Sequence, residues 1–579
     1  MPRTLLILCL LSVFPLLLNA QANFIEGKIY ERENRETVPY AKVYNKSIQK
    51  RTLSNETGYF RIEIGSYSDT ILIDVIGFRS KWIKISEKTT FYEIVLEENT
   101  QLLGEVVVKP EDNTYLYKLL LDCGKKPSGT RKNSRVYYEL KSYVNNNQIE
   151  LVENFYNGTL LGYDLDALSL KTGRFALRNF NNTFFGSMES SKAIVMLKLF
   201  KKNRYFPESP FELNAKQLRA SYWLSLHSKY RDEALDSIYV VDFSPKDTSG
   251  GFFKGRVWIS KHSRNILKTE LHCVHAKVHP FRAIFPSDTL RNLDLHITKS
   301  FEQMGGKMYF KQVDFSYNIM YSNRKNKTYQ TSTRAVLHAY DPEDIFILPE
   351  FKFYESSDYV KINAIPYNSY FWENHNELKV SEQKNENELF YNDPTSTTNR
   401  TVFANGKFKK GLRESPYITW SQNRIRFREF TTDTTEVISN PLRPGIVSEK
   451  YNLGVKVFMD INFFPDTMQV ITSTVFDPFE SYYRLPLDAA ALYFINVYFD
   501  LVEAERRELD DAIARSDRKV ATIQELYLKS QYRVDALQRK YFQEAGHGTN
   551  EKSMAKWNQL VYEKLNINNL DLFAPYPVK

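Results

Sequence analysis

Cysteine is almost missing from this chain. There are three in 579 residues, and Cys9 lies inside the leading apolar run. That leaves Cys123 and Cys273, far apart in sequence, so one disulfide at most can form and a disulfide-stapled scaffold is excluded. A second long apolar run is also missing. The best candidate, "LDAAALYFINVYFDLVEAERREL", is interrupted by Asp500 and Glu503, and a membrane-spanning helix needs about 20 predominantly apolar residues. Strong catalytic signatures are absent too. None of the nine histidines has a glutamate three residues on, and no His-Glu-x-x-His, Gly-x-Ser-x-Gly, phosphate-binding loop or dinucleotide fingerprint occurs. The net charge of +9 is thin for this length. Its densest basic spots, "KLFKKNR" from Lys198 and "FKKGLR" from Phe408, are short. Nucleic-acid binding, which needs clustered charge, is not expected.

What is present starts with "MPRTLLILCLLSVFPLLLNAQA". Arg3, an apolar stretch from Leu5 to Leu18, and small residues around Ala20 and Ala22 have the layout of a secretory signal peptide, predicted over residues 1–20. Leu8, not a small residue, precedes Cys9, which argues against a lipoprotein cleavage site. An exported chain of this length is expected to hold several domains. Its Tyr and Phe content suits a β-rich exported protein.

From Asn23 to about residue 100 short alternating segments are split by turn residues. "GYFRIEI" sets Phe60, Ile62 and Ile64 on one face and Arg61 and Glu63 on the other. Asn55 to Gly58 reads as a turn, with the Asn side chain accepting from the backbone and Gly taking positive φ. A small antiparallel β-sandwich is predicted here. The ordered landmarks Gly27-x-Ile29, Pro39-x-Ala41-x-Val43, Thr57-Gly58-Tyr59-Phe60 and Ile76-Gly77-Phe78 resemble the carboxypeptidase regulatory-like domain. Ser54-Asn55 stands where members of that family often have Thr-Asp. The resemblance implies a prealbumin-like β-sandwich with a structural or adhesive role; the family's peptidase activity lives in a different domain. "LGEVVVKP", from Leu103, reads either as a strand closed by Pro110 or as the lead-in to a transporter plug that follows this module in similar envelope proteins.

Residues 101–130 are read as a connector with a short helix at "YLYKLLLDCGKK" stopped by Gly124. Residues 131–350 then alternate at hairpin spacing, with "SSKAIVMLKLFKKN", Ser190 to Asn203, as the clearest helix. A large curved antiparallel sheet or half-barrel carrying one or two helices is predicted. The order "DFSPKD", "GRVWISK", "NILKTEL" resembles the DUF5686 family of Bacteroidetes envelope proteins over residues 23 to about 350, and more loosely the lipoprotein-carrier half-barrels. Members of that family often end in an outer-membrane barrel, and this chain departs from that. Its last part reads as helical, and "FAPYPVK" lacks the terminal aromatic of such barrels.

The histidine cluster His272, His275 and His279, near Glu270, is the candidate metal site. On a strand His272 shares a face with Glu270 while His275 points away. Three zinc ligands converge only if a turn follows His275; otherwise these are solvated residues at a strand end. No cofactor is expected. Carboxylates are plentiful, but one sequence does not show which face each other.

Residues 351–484 are read as a polar connector, with Glu373 to Arg400 as a long surface loop, followed by further strands. Residues 485–568 are read as helical. Val520, Ile523, Tyr527, Val534, Leu537 and Tyr541 fall on a seam broken by Ser530. The seam suits either a coiled-coil partner or an intramolecular helical hairpin. The fold expected is mainly β with α, multidomain, in the order sandwich, sheet body, helical end. The function expected is non-enzymatic: an envelope protein that binds or scaffolds an unidentified protein, glycan or lipid. A periplasmic lipid or lipoprotein carrier and a hydrolase with an unrecognised site are the alternatives.

Overall fold

A computed structural model of the chain describes residues 23–575, apart from 56, 88, 90, 99–112, 126–128, 179–189, 232–235, 284–286, 341–344, 351–357, 376–380, 400–417, 422–449 and 465–466. The predicted signal segment, "LGEVVVKP" and "FKKGLR" lie outside the described residues. The chain divides into two compact units, one built on the N-terminal strands and one holding the large sheet and the C-terminal helices.

The first unit has strands β1 (Asn23–Glu31), β2 (Lys42–Asn45), β3 (Lys50–Leu53), β4 (Tyr59–Ile64), β5 (Thr70–Asp74), β6 (Lys81–Lys84) and β7 (Phe91–Leu96). They form two sheets, β4-β1-β7 and β3-β2-β5-β6. Ile25, Ile29, Val43, Phe60, Ile62, Ile64, Ile71, Ile73 and Ile94 are buried together between them. The alternation predicted for β4 is thus the core face of a sandwich. One expectation is corrected: β1 pairs with β7 in parallel, so the unit is not wholly antiparallel.

The landmark residues have defined packing and backbone roles. A Cβ at Gly27 would stand 2.5 Å from the carbonyl oxygen of Tyr92 and 2.7 Å from the Phe60 ring. Asn55 Oδ1 accepts from the backbone of Thr57 and of Tyr59 (both 2.9 Å) and from Thr57 Oγ1 (2.8 Å). Gly58 sits at φ 76°. Asn55→Ala removes the acceptor for these turn donors and is expected to destabilise the turn by about 1–3 kcal/mol. Hydrogen exchange of the intact chain checks this: amide protection at Thr57 and Tyr59 should fall, and unchanged protection would show that the turn does not depend on Asn55.

In the second unit α1 (Thr114–Gly124) precedes β8 (Arg131–Val144), β9 (Asn147–Leu161) and β10 (Asp164–Leu177). Helices α2 (Ser190–Met196) and α3 (Ala215–Ser221) lead into β11 (Tyr222–Arg231), β12 (Ser237–Pro245), β13 (Lys254–Ser260), β14 (Ile266–Cys273), β15 (Thr289–Met304), β16 (Lys307–Ser322) and β17 (Thr328–Tyr340). Then come α4 (Asp358–Ala364), α5 (Ser369–Asn374), α6 (Ser381–Asn392), whose residues up to Leu389 group with the first unit, and β18 (Thr397–Thr398). Among the described residues the sheet has eleven strands in the order β11-β12-β13-β14-β15-β16-β17-β8-β9-β10-β18. It is open, with β11 and β18 at its two ends.

One face is apolar. Val136, Tyr138 and Leu140 of β8, Val152 and Tyr156 of β9, and Phe175 and Leu177 of β10 join one core with Leu116, Leu119 and Leu120 of α1, Ala193 and Ile194 of α2, and Leu218 of α3. Cys123 and Cys273 are both buried and are not joined in a disulfide.

Two local expectations are corrected. The helix predicted over Ser190 to Asn203 ends at Met196. Beyond it the backbone N–H of Leu199 is captured by Asp164 Oδ1 at 2.8 Å, and Lys198 Nζ donates to the carbonyl of Leu165 at 2.6 Å. Hydrogen bonds to β10 thus take over from the helical ladder. The surface loop predicted over Glu373 to Arg400 instead contains α6, the end of α5 and β18. Its Glu, Gln and Lys residues are good helix formers, and Phe390 and Tyr391 near the end of α6 are buried against Leu151 and Ala176.

The C-terminal part has β19 (Ile418–Thr419), β20 (Tyr451–Phe464) and β21 (Thr467–Tyr483), in the order β19-β21-β20, then α7 (Ala489–Arg515), α8 (Val520–Ala545), α9 (Glu551–Leu565) and α10 (Asn569–Phe573). Every residue of α7 from Tyr493 to Ala504 is buried. A helix apolar nearly all round must be covered all round, and here β20, β21, α8 and α9 share its core. The helical-hairpin reading is therefore incomplete, because a sheet also closes on α7. The α8 seam is filled from within the chain: Ile523, Tyr527, Val534 and Tyr541 lie in that core. Asp500, which broke the apolar run in the sequence, is fully buried and accepts from Trp420 Nε1 (2.8 Å) and Asn569 Nδ2 (2.6 Å). No helix of the described residues is long and apolar enough to cross a membrane.

Candidate functional site

The face of the large sheet opposite the apolar core carries its charges. Side chains alternate along each strand, and the register lines the outward ones into rows across the sheet. One row runs Asp242, Arg256, Glu270, Thr298 and Asp314, and it continues through Val336 to Glu139, Glu153 and Arg174. Its neighbour runs Lys254, His272, His296, Ser316, Arg334 and Lys141. Opposite charges meet within and between the rows. Arg256 Nε lies 2.6 Å from Asp242, and Arg334 makes a 2.5 Å ion pair with Asp314.

Two carboxylates do face each other, which the sequence did not reveal. Glu139 and Glu153 are directly opposed on β8 and β9. Like charges in that position repel, and the neighbours offset this. Tyr137 Oη donates to both, at 3.3 and 3.0 Å. Arg174 pairs with Glu153 at 2.7 Å and Lys141 with Glu139 at 3.6 Å. Arg174 is in turn covered by the rings of Trp372 (4.5 Å) and Tyr391 (5.0 Å). Burial, with Glu153 and Glu139 beside it, pushes the Tyr137 hydroxyl well above its ordinary range. Two anions, two cations and a neutral phenol make a compensated, buried cluster.

Lys171 is the deepest of these charges. The β9–β10 register passes from Leu170/Tyr156 to Thr172/Phe155 and skips it. Such a bulge leaves one residue without a cross-strand partner and re-aims its side chain. Lys171, 1% exposed, reaches Asp460 of β20 at 2.5 Å. It also donates to the carbonyls of Ile347 (2.7 Å) and Ile461 (2.8 Å). Burial pulls its pKa below the ordinary lysine range, against the charge of Asp460. Lys299, also buried, donates to the carbonyl of Leu197 at 3.0 Å and fastens the segment after α2 to β15.

The three sequence-predicted histidines do not converge. β14 ends at Cys273, and Val274 and His275 form a turn with His275 at φ 51°. His275 donates its backbone N–H to Asp294 at 2.8 Å. His279 Nδ1 meets the carbonyl of Phe281 at 3.1 Å. His272 stays on the strand and is paired instead with His296, ring centroids 4.9 Å apart. Among the described residues no group of three or more His, Cys, Asp or Glu is placed to hold a metal ion.

The comparisons with known proteins bear first on the N-terminal unit. Residues 25–108 match the CarboxypepD_reg-like domain. That match covers the sandwich and none of the large sheet. No curated protein matches the chain. Among solved structures, a LolA superfamily protein from Nitrosomonas europaea is 12% identical, with 40% of this chain and 94% of that one covered and a TM-score of 0.16. A putative outer membrane lipoprotein-sorting protein domain from Vibrio parahaemolyticus is 12% identical, covering 39% and 90%, at 0.17. MucB is 9% identical, covering 40% and 93%, at 0.15. Likenesses this slight establish neither fold nor function.

Two outcomes follow from the buried charges. Lys171→Met leaves Asp460 buried without its cation and is expected to cost about 3–5 kcal/mol in urea unfolding. The double variant Lys171→Met/Asp460→Leu should be more stable than the single one, and equal losses would mean that the pair does not act as a unit. The second concerns Glu212, which receives the backbone N–H groups of Asn203 (3.2 Å) and Ser209 (3.3 Å). Burial nevertheless pushes it up to about 7 from 4.5. A folded pKa above the unfolded one gives stability that is complete below about pH 4.5 and is lost as pH rises towards 7. Unfolding free energies should therefore fall by on the order of 1–3 kcal/mol across that window relative to Glu212→Gln. Parallel pH profiles for the two proteins would contradict this.

Proposed function

We propose that this chain is a non-enzymatic protein of the cell envelope, of Bacteroidetes type, that binds or scaffolds another envelope component. The observation that carries the reading is the use of its buried ionisable groups. Lys171, Arg174, Glu153 and Lys299 are each held by ion pairs or backbone carbonyls that join elements of the fold. Groups so engaged position structure and are poorly placed to move protons to a substrate. The leading segment "MPRTLLILCLLSVFPLLLNAQA" supports export, and the CarboxypepD_reg-like domain at residues 25–108 supports a structural or adhesive role.

A second reading is favoured by one feature. An open eleven-stranded sheet with helices laid on its apolar face suits a periplasmic carrier of lipid or lipoprotein. Native mass spectrometry of the protein extracted from its envelope fraction, with lipid analysis, separates the two. A complex with a second protein or glycan and no acyl chain is the expected result. One acyl chain per protein would move the assignment to a carrier. Turnover of peptide or glycan substrates by the purified chain would overturn the non-enzymatic reading.

A further inference from the structure

We propose that His272 and His296 form a two-imidazole site for a divalent late transition-metal ion on the charged face of the large sheet. The two residues are directly opposed on β14 and β15. His296 is exposed and His272 half-buried, so the pair opens to solvent while its backbone is fixed by the ladders on both sides.

The spacing fits chelation. A metal–nitrogen bond of about 2.1 Å, with about 1.1 Å from ring nitrogen to ring centre, sets each centroid about 3.2 Å from the ion. Two imidazoles at angles of about 90–110° around one ion then have centroids about 4.5–5.2 Å apart. The observed separation is 4.9 Å, with the rings inclined at 54°.

Asp294 lies two residues before His296 and supplies negative charge beside the pair; Lys254, across from His272, opposes it. Water completes the coordination, because the protein offers two nitrogens and the outer side is open. Imidazole ligands with open positions select copper(II), then nickel(II) and zinc(II).

The test uses the full chain without an affinity tag, stripped with a chelator and titrated separately with copper(II), nickel(II) and zinc(II) chlorides by calorimetry. One ion per chain is expected, with copper tightest and a copper electron-paramagnetic-resonance spectrum showing two coordinated nitrogens. His296→Ala and His272→Ala should each weaken binding by about tenfold or more, while His262→Ala, on the exposed turn after β13, should leave it unchanged. His296 is exposed, so its loss leaves the fold intact, and circular dichroism confirms that. Unchanged affinity in His296→Ala, or no ion bound by the parent chain, would overturn the proposal. Neither result touches the envelope-binding reading, which rests on different residues.

Discussion

The second unit depends on one buried contact, between Lys171 and Asp460. A lysine ammonium inside a protein needs an anion and further acceptors, or it gives up its charge. Here the anion comes from β20 and the acceptors from the backbones of Ile347 and Ile461. The large sheet, the segment leading from β17 and the C-terminal hairpin therefore meet at one nitrogen. Burial of an ion pair adds little net stability compared with an apolar pair of the same size. What it adds is registration: any slip of β20 against β10 strands a charge, whereas an apolar contact would tolerate it.

The same logic runs along the charged face. Near β8, β9 and β10 the face is roofed by aromatic side chains, and its charges are compensated in a closed set around Glu139 and Glu153. Phe155 is central to that roof, with Phe371, Trp372 and His375 at ring separations of 5.4, 5.5 and 4.7 Å. Towards β12 the face is more open, and ion pairs there are solvated and worth little. One sheet thus has a fastened half and a more open half.

The sequence made some of this legible for a physical reason. Asn55 and Gly58 answer local backbone demands, and such demands are written within a few residues of where they act. The alternation along β8 to β17 is likewise a local signal, and it announced a large antiparallel sheet. What stayed hidden was register and partnership. Lys171 and Asp460 are 289 positions apart. His272 was recognised as a candidate ligand but grouped with its sequence neighbours His275 and His279, although its spatial partner is His296. Glu139 and Glu153 look like any other strand glutamates until the pairing of β8 with β9 is known. The polar composition of α6 suppressed the apolar period that marks a helix, and only its two terminal aromatics hinted at anchorage.

The strand order has a consequence for how the chain reaches this state. β8 to β10 form one run of neighbouring hairpins and β11 to β17 another, and each can zip from its own turns. Among the described strands the pairing of β17 with β8, Thr331 opposite Val144, joins the runs, and it closes a very long loop. Loop closure of that kind is entropically costly and slow. Until it happens, two long bare edges with alternating apolar residues stand open, each a template for a foreign strand. Between synthesis and this final pairing those edges are exposed to aggregation.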